Sequence, residues 1–231
     1  MPHARSPVGA ANLVNGRVSI EDSTERADCS FGRSHAAEAA LDLVALGCRA
    51  RASTVLGGKK REYGPARAID GDASTCWNSD QGVPQWLELE LGSDAERDGE
   101  EAWTPRALEA VAASFQGGFA GLDTEVHAST AVKRKGAEWA LVGRTRFADA
   151  TGEQSVDLRA LAAALPEPDR GAAEKAGVLV RGEDGALAVV ARRLKVVFSS
   201  SSDFFGRVTV YGVSVLGRVP PSGAGASRCE A

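Results

Sequence analysis

Asp70, Asp72, Ser74 and Thr75 crowd side-chain oxygens into the stretch DGDASTCWNSDQG, Asp70 to Gly82. Hard oxygen donors this close together suit a cation such as Ca2+. The spacing of Asp70, Asp72 and Ser74 matches the opening of an EF-hand loop. That loop needs glycine at its sixth position and a bidentate glutamate at its twelfth. Thr75 and Gln81 stand there instead, so the EF-hand is excluded. A looser cation site remains, with Asp70 and Thr75 giving side-chain oxygens and the Asp-Gly-Asp turn directing carbonyls inward. An Asx-type turn, in which Asp70 and Thr75 bond nearby backbone N–H groups, uses the same residues. Spacing alone does not choose between them.

Catalytic chemistry has less to draw on. The histidines are His3, His35 and His127; the first two read as outside the sandwich, and His127 falls in a strand candidate with no nearby acidic-nucleophile motif. Cys29, Cys48, Cys76 and Cys229 have no CxxC spacing, which argues against zinc, and their scatter argues against a disulfide framework. Cys76, beside Trp77, reads as a small buried hydrophobe. No enzyme is expected. A net charge of −4 and a pI near 5.5 argue against nucleic-acid binding, despite the short basic runs at Lys59–Arg61 and Lys133–Lys135. No apolar run has the length of a membrane span, and Met1 to Gly16 lacks the apolar core of a secretory signal. An intracellular protein of cytoplasm or nucleus, in a reducing setting, is therefore expected.

The elements that must position the Asp70 stretch are mostly strands. Leu87, Leu89 and Leu91 alternate with Glu88 and Glu90, as in a strand wet on one face. Leu194, Val196 and Phe198 alternate about Lys195, and Arg207 to Gly217 is rich in β-branched and aromatic residues. Further strands are predicted over Ala52–Leu56, Leu108–Phe115, Glu125–Val132, Ala140–Phe147 and Gln154–Leu158. About eight short strands with few helices define an all-β sandwich or jelly roll. A short helix is predicted over Ser34–Leu46 from its apolar spacing and serine start. Residues 1–33 and 220–231 read as disordered, around a sandwich over 34–219 with insertions near 93–104, 133–153 and 165–186. The acidic stretch at 93–104 and the Pro- and Gly-rich stretch from 165 exceed ordinary loop lengths, so they read as disordered or as partner sites. Trp77 and Trp86 fit plugs of the core end; exposed stacking anchors are the alternative.

Two segments carry a resemblance. ASTVLGGKKREYGPARAIDGDASTCWNSDQGVPQWLELELG is similar to the first half of a coagulation factor V/VIII type C, or discoidin, domain, and ARRLKVVFSSSSDFFGRVTVYGVSVLG to its closing half. TCWNSDQG, FQGGF and DFFGRV, in order along the chain, resemble the testicular orphan nuclear receptor 4-associated protein family. A remoter likeness, through the Ile-Asp-Gly corner and Trp77, is to intraflagellar transport protein 25. The resemblance implies a galactose-binding-like jelly roll. It also implies a Ca2+ position built from the Arg67 carbonyl, the Asp70 carboxylate, the Asp72 carbonyl, the Thr75 hydroxyl and the Val213 carbonyl. Ser214 stands where many relatives carry a glutamate ligand, which removes one charge from that set. Secreted discoidin domains resemble one another in a cysteine after the final Leu-Gly; here Arg218 follows Gly217, in line with a reducing compartment.

Two binding functions follow. One is a protein-interaction adaptor, as a nuclear-receptor-associated regulator or a ciliary component. The other is a module for carbohydrate or lipid headgroups, for which 6% aromatic residues and the absence of a secretory signal are poor provision. Candidate partner-binding residues lie in two loops: Gln116 and Phe119 in QGGF, and Asp203, Phe204, Phe205 and Arg207 in DFFGR. Each sets phenylalanine beside glycine, so each phenylalanine either anchors a partner or caps the core.

Overall fold

A computed structural model describes residues 40–92, 106–131, 133–182 and 185–218. The period-two pattern is used as its spacing dictates. In β4 (Gln85–Leu91), Leu87, Leu89 and Leu91 are buried together on the inner face. β4 pairs antiparallel with β11 (Arg193–Phe198), so Leu89 stands opposite Leu194 and Leu87 opposite Val196. β2 (Cys48–Ala52), β6 (Asp123–Ser129) and β7 (Ala140–Arg146) complete a five-stranded sheet in the order β2-β4-β11-β6-β7.

The second sheet is built on the antiparallel pair of β5 (Arg106–Phe115) and β12 (Thr209–Arg218). Its order is β1-β12-β5-β10-β9, with β1 at Leu41–Asp42, β9 at Leu179–Arg181 and β10 at Leu187–Ala191. β3 (Trp77–Asn78) pairs with β12, and β8 (Gly152–Asp157) with β5. Between the sheets lies a core in which Trp77, Phe115, Phe198, Leu89 and Leu194 are almost wholly buried. Phe198 joins its halves: its ring lies 6.4 Å from Trp77 in a stacked arrangement and 5.8 Å from Phe115 edge-on. Two antiparallel sheets closing on one core make a jelly-roll β-sandwich.

Several expectations are corrected. Of the helix predicted over Ser34–Leu46, residues 40–46 are described, and they form β1 and a turn. Leu41 and Asp42 pair with Gly217 and Leu216, and the Asp42 carboxylate accepts from the N–H groups of Val44 and Val215. Leu43 and Val44 thus reach the core from a turn. The strand predicted over Ala52–Leu56 lies earlier, at Cys48–Ala52, because Ser53 and Thr54 use their hydroxyls to bond Gln85. Within the stretch from 165, the described residues form a helix and the strand β9. Helix Leu158–Ala163 is capped by Asp157, whose carboxylate accepts from the N–H groups of Arg159 and Ala160 at 2.8 and 2.9 Å. Helix Glu167–Lys175 buries Ala173, and both helices pack against β7. The region near 133–153 supplies β7 itself. Residues 1–33, 93–104 and 220–231 lie outside the described residues, as do Cys29 and Cys229.

The outer face of β4 is not wet as its glutamates suggested. Glu88 is buried, because Arg134, from the segment between β6 and β7, crosses the sheet and donates to it at 3.1 Å. Trp86, read as a core plug, is half-buried on that outer face. The Lys195 ammonium lies 5.3 Å from its ring and 4.0 Å from that of Trp139. Burial pulls the Lys195 amine below its ordinary range.

Candidate functional site

Asp70 and its neighbours form a tight knot of oxygens. The Asp70 carboxylate accepts from the Asp72 N–H at 3.1 Å and from the Arg67 guanidinium at 3.3 Å. The Thr75 Oγ lies 3.0 and 2.9 Å from the two Asp70 carboxylate oxygens, 3.1 Å from the Asp72 carbonyl and 3.3 Å from the Arg67 carbonyl. A hydroxyl has one proton, so it can donate to only one of these four oxygens. The remaining lone pairs face one another, an arrangement that a cation relieves. The Asp72 carboxylate turns away to accept from the N–H and hydroxyl of Ser74, leaving its carbonyl to the knot. Burial pushes the Asp70 carboxyl upward, but the Asp72 N–H, the Thr75 hydroxyl and Arg67 outweigh it and hold the group below its ordinary range. The Asx turn and the convergence of oxygens are therefore one structure.

Val213 and Ser214 lie in β12, opposite Ala113 and Ala112 of β5. β12 packs beside the 3-10 turn Pro65–Ala68 that carries Arg67. Among the described residues, no three His, Cys, Asp or Glu side chains gather around a metal position. Ser214 brings a hydroxyl and no carboxylate to β12, and the Asp70 carboxylate is the one that faces the Thr75 hydroxyl.

The three strings TCWNSDQG, FQGGF and DFFGRV meet. The Ser79 N–H donates to the Val208 carbonyl at 2.9 Å, and the Ser79 Oγ accepts from the Val208 N–H at 2.8 Å. Gln116 donates its N–H to the Thr209 carbonyl at 3.3 Å, and the Thr209 N–H donates to the Phe119 carbonyl at 3.0 Å. The Gly82 N–H donates to the Phe205 carbonyl at 2.8 Å. Gly206 lies so close to Gly82 that a Cβ there would stand 3.0 Å from backbone, and its φ of +77° already excludes most side chains. The candidate residues of both loops thus form one surface.

Arg207 is the hub of that surface. Its guanidinium donates to both carboxylate oxygens of Asp203, at 3.0 and 3.1 Å, and lies 5.0 Å from the Phe119 ring and 5.6 Å from that of Phe205. Asp203 also accepts from the N–H groups of Phe205 and Arg207, closing the loop on itself. Phe204 is 93% exposed and Phe205 54%, their rings packed edge-on at 5.2 Å. Neither caps the core. Gln116 is tied into the fold, its carbonyl accepting from the Phe119 N–H at 3.0 Å and its side chain meeting the Tyr211 hydroxyl at 3.5 Å.

The Asp203 carboxyl sits below its ordinary range, chiefly through the Arg207 hydrogen bonds. A depressed carboxylate contributes stability that is full above its unfolded value and lost as pH falls through the folded one. Asp203→Asn is therefore expected to lower the thermal midpoint near pH 6. Its deficit begins to shrink below about pH 4, where the unfolded group protonates, and is lost as the pH falls through the lower folded value. A deficit equal at pH 6 and pH 2.5 would refute the ion pair's role.

Sequence reasoning missed Val83, Asp80 and Asp149, which border this surface. Val83 follows Gly82 and is 48% exposed, and Asp149 accepts from the Gly118 N–H at 2.7 Å. Asp80 lies within TCWNSDQG and Val83 just after it, yet nothing in that string sets them apart for binding, and no motif marks Asp149, because their place comes from contacts across distant loops. Trp77 is the buried plug expected, with its indole N–H donating to the Thr54 carbonyl at 2.9 Å. Cys76 is half-buried, and burial pushes its thiol up, away from reactivity. His127 lies 3.0 Å from the Glu125 carboxylate, which Arg144 also holds at 2.9 Å. Cys48 opens β2, opposite Leu91 of β4.

The sheet order, the Trp77 corner and the knot of turns define a galactose-binding-like jelly roll of the discoidin class. Solved structures of this fold include a family 32 CBM from C. perfringens in complex with galactose, with TM-score 0.50 at 14% identity over 77% of this chain and 98% of that one. An F5/8 type C domain from Bacteroides fragilis likewise has TM-score 0.50 at 14% identity, over 77% and 95%. In sequence the chain is similar to nuclear receptor 2C2-associated protein. The Danio rerio protein is 27% identical over 178 residues, 77% of this chain and 96% of its own length. That from Bos taurus is 29% identical over 170 residues, 73% and 89% respectively. No family model matches the chain.

Proposed function

We propose that the chain is a non-catalytic protein-interaction adaptor that docks a protein partner through the loops 116–119 and 203–207. The observation that carries this reading is Phe204. It is a large apolar side chain almost fully in water, on a loop that the Asp203–Arg207 pair holds in one shape. A pre-ordered apolar anchor loses little entropy on binding. The relatives' association with a nuclear receptor, as their name states it, supports a protein partner and an intracellular setting. Among the described residues no helix is long and apolar enough to cross a membrane. Phe204→Ala is expected to abolish co-purification of the partner while moving the thermal midpoint by no more than a degree or two, about what surface substitutions do. Undiminished capture would sink the reading.

Carbohydrate binding is the second reading, and Arg207 favours it. A guanidinium held between two aromatic rings offers donors beside a stacking face, which sugar hydroxyls and the apolar face of a pyranose can use. The C. perfringens module of the same fold is in complex with galactose. A glycan array decides, since binding that Phe204→Ala removes would favour sugar, and a blank array the adaptor.

The oxygen knot serves as a support for this surface, two residues ahead of Trp77. There we propose weak Ca2+ binding through Arg67, Asp70, Asp72 and Thr75, with Val213 and Ser214 contributing from β12. Calorimetric titration of calcium is expected to give heat that Asp70→Ala abolishes. No heat from the wild type would dismiss the ion and leave Arg67 as the counter-charge of Asp70.

A further inference from the structure

The Phe204 surface has a charge pattern as well as an apolar centre. Val83 adjoins Phe205 through the Gly82–Phe205 hydrogen bond, and Phe119 adjoins it through Arg207. Phe119 and Phe205 thus flank the Arg207 guanidinium, Phe204 packs on Phe205, and Val83 follows the glycine bonded to Phe205. The loops that build this end, 79–84, 116–121, 148–151 and 199–208, contain Asp80, Asp149 and Asp203 against Arg207 alone, a net −2. Arg207 and Asp203 neutralise each other through two hydrogen bonds. Asp80 and Asp149 are exposed, each accepting only a backbone N–H, from Gln81 at 3.0 Å and from Gly118 at 2.7 Å. Loops that carry an apolar centre and two exposed carboxylates attract cations and repel anions.

Resting on the docking reading above, we propose that this surface takes a protein segment presenting bulky apolar side chains flanked by lysine or arginine. The same charges disfavour an anionic membrane, although two exposed phenylalanines would otherwise suit one. They also disfavour an acidic peptide. Val83, Asp80 and Asp149 thereby become binding residues alongside those of the 116–119 and 203–207 loops.

The test is selection from a random twelve-residue peptide display library on the full chain, counter-selected on Phe204→Ser. Enriched sequences are expected to pair bulky apolar residues with lysine or arginine. Asp80→Asn combined with Asp149→Asn keeps both amide acceptors and is expected to weaken the selected peptide roughly tenfold at low salt, with the gap closing in high salt. Enrichment of neutral or acidic sequences would overturn this inference and leave the docking reading standing. No difference between wild type and Phe204→Ser would overturn the docking reading itself. Vesicles of 30% phosphatidylserine in phosphatidylcholine provide the remaining arm, and Phe204-dependent sedimentation with them would overturn the basic-segment assignment in favour of lipid.

Discussion

Trp77→Ala is expected to cost about 3–5 kcal/mol, the usual range for emptying a buried aromatic site. Domains of this size are stable by only about 5–15 kcal/mol, so the variant unfolds at a much lower urea concentration. Trp77 is wholly buried, stacked on Phe198, and bonded through its indole N–H to the Thr54 carbonyl. It is also half of the two-residue strand β3, which fastens the Asp70 knot and the Ser79–Gly82 loop to β12. Trp77→Phe keeps most of the apolar area and loses the hydrogen bond, so its urea midpoint is expected between those of wild type and Trp77→Ala. A Trp77→Ala loss under about 1 kcal/mol would mean that the core closes over the gap, against the rigidity that its packed rings imply.

The corner around Trp77 was legible because it is local: turn formers, then a tryptophan, then a strand. The alternation of β4 and β11 and the β-branched run of β12 declared their elements for the same reason. What failed depended on distant partners. The alternating glutamates of β4 look identical in sequence whether water or Arg134 covers them. Leu43 and Val44 have helical spacing but fill the core from a turn, since β12 offers Asp42 and Leu41 a pairing edge. Pro166 breaks the run into the helix Glu167–Lys175, and with so little buried there beyond Ala173 that segment resembles a loop in composition. The candidate site shows the same division. Each loop of the Phe204 surface announced itself by phenylalanine beside glycine. That they meet, with Val83, Asp80 and Asp149 at the border, is a property of the closed sandwich.

Gln85→Leu carries that division into an experiment, because Gln85 joins the core to the surface. Its side chain is 2% exposed and uses both ends of its amide. The oxygen accepts from the hydroxyls of Ser53 and Thr54, and the nitrogen donates to the carbonyls of Asp80 and Gly82 at 3.1 and 2.6 Å. Leucine has similar bulk and none of these bonds. Leaving buried polar groups unmatched costs about 1–3 kcal/mol each, partly relieved where water reaches the loop, so a total of about 2–4 kcal/mol is expected. The effect on binding is separable. Gly82 supports Phe205 through its N–H, and Val83 follows it, so releasing the Gly82 carbonyl unseats one side of the docking surface. Affinity for a peptide selected on the wild type is expected to fall even at temperatures where Gln85→Leu remains fully folded by circular dichroism. Gln85→Glu keeps the acceptor for Ser53 and Thr54 but turns a buried carboxylate oxygen toward the Asp80 and Gly82 carbonyls, so at neutral pH it is expected to be at least as destabilising as Gln85→Leu and to leave the 80–83 loop unfastened. If Gln85→Leu lost stability yet bound the peptide like wild type, the 80–83 loop would be a strut of the fold, and Val83 would leave the binding surface. If it lost both, the interior of the sandwich and its Phe204 face would be coupled through a single amide.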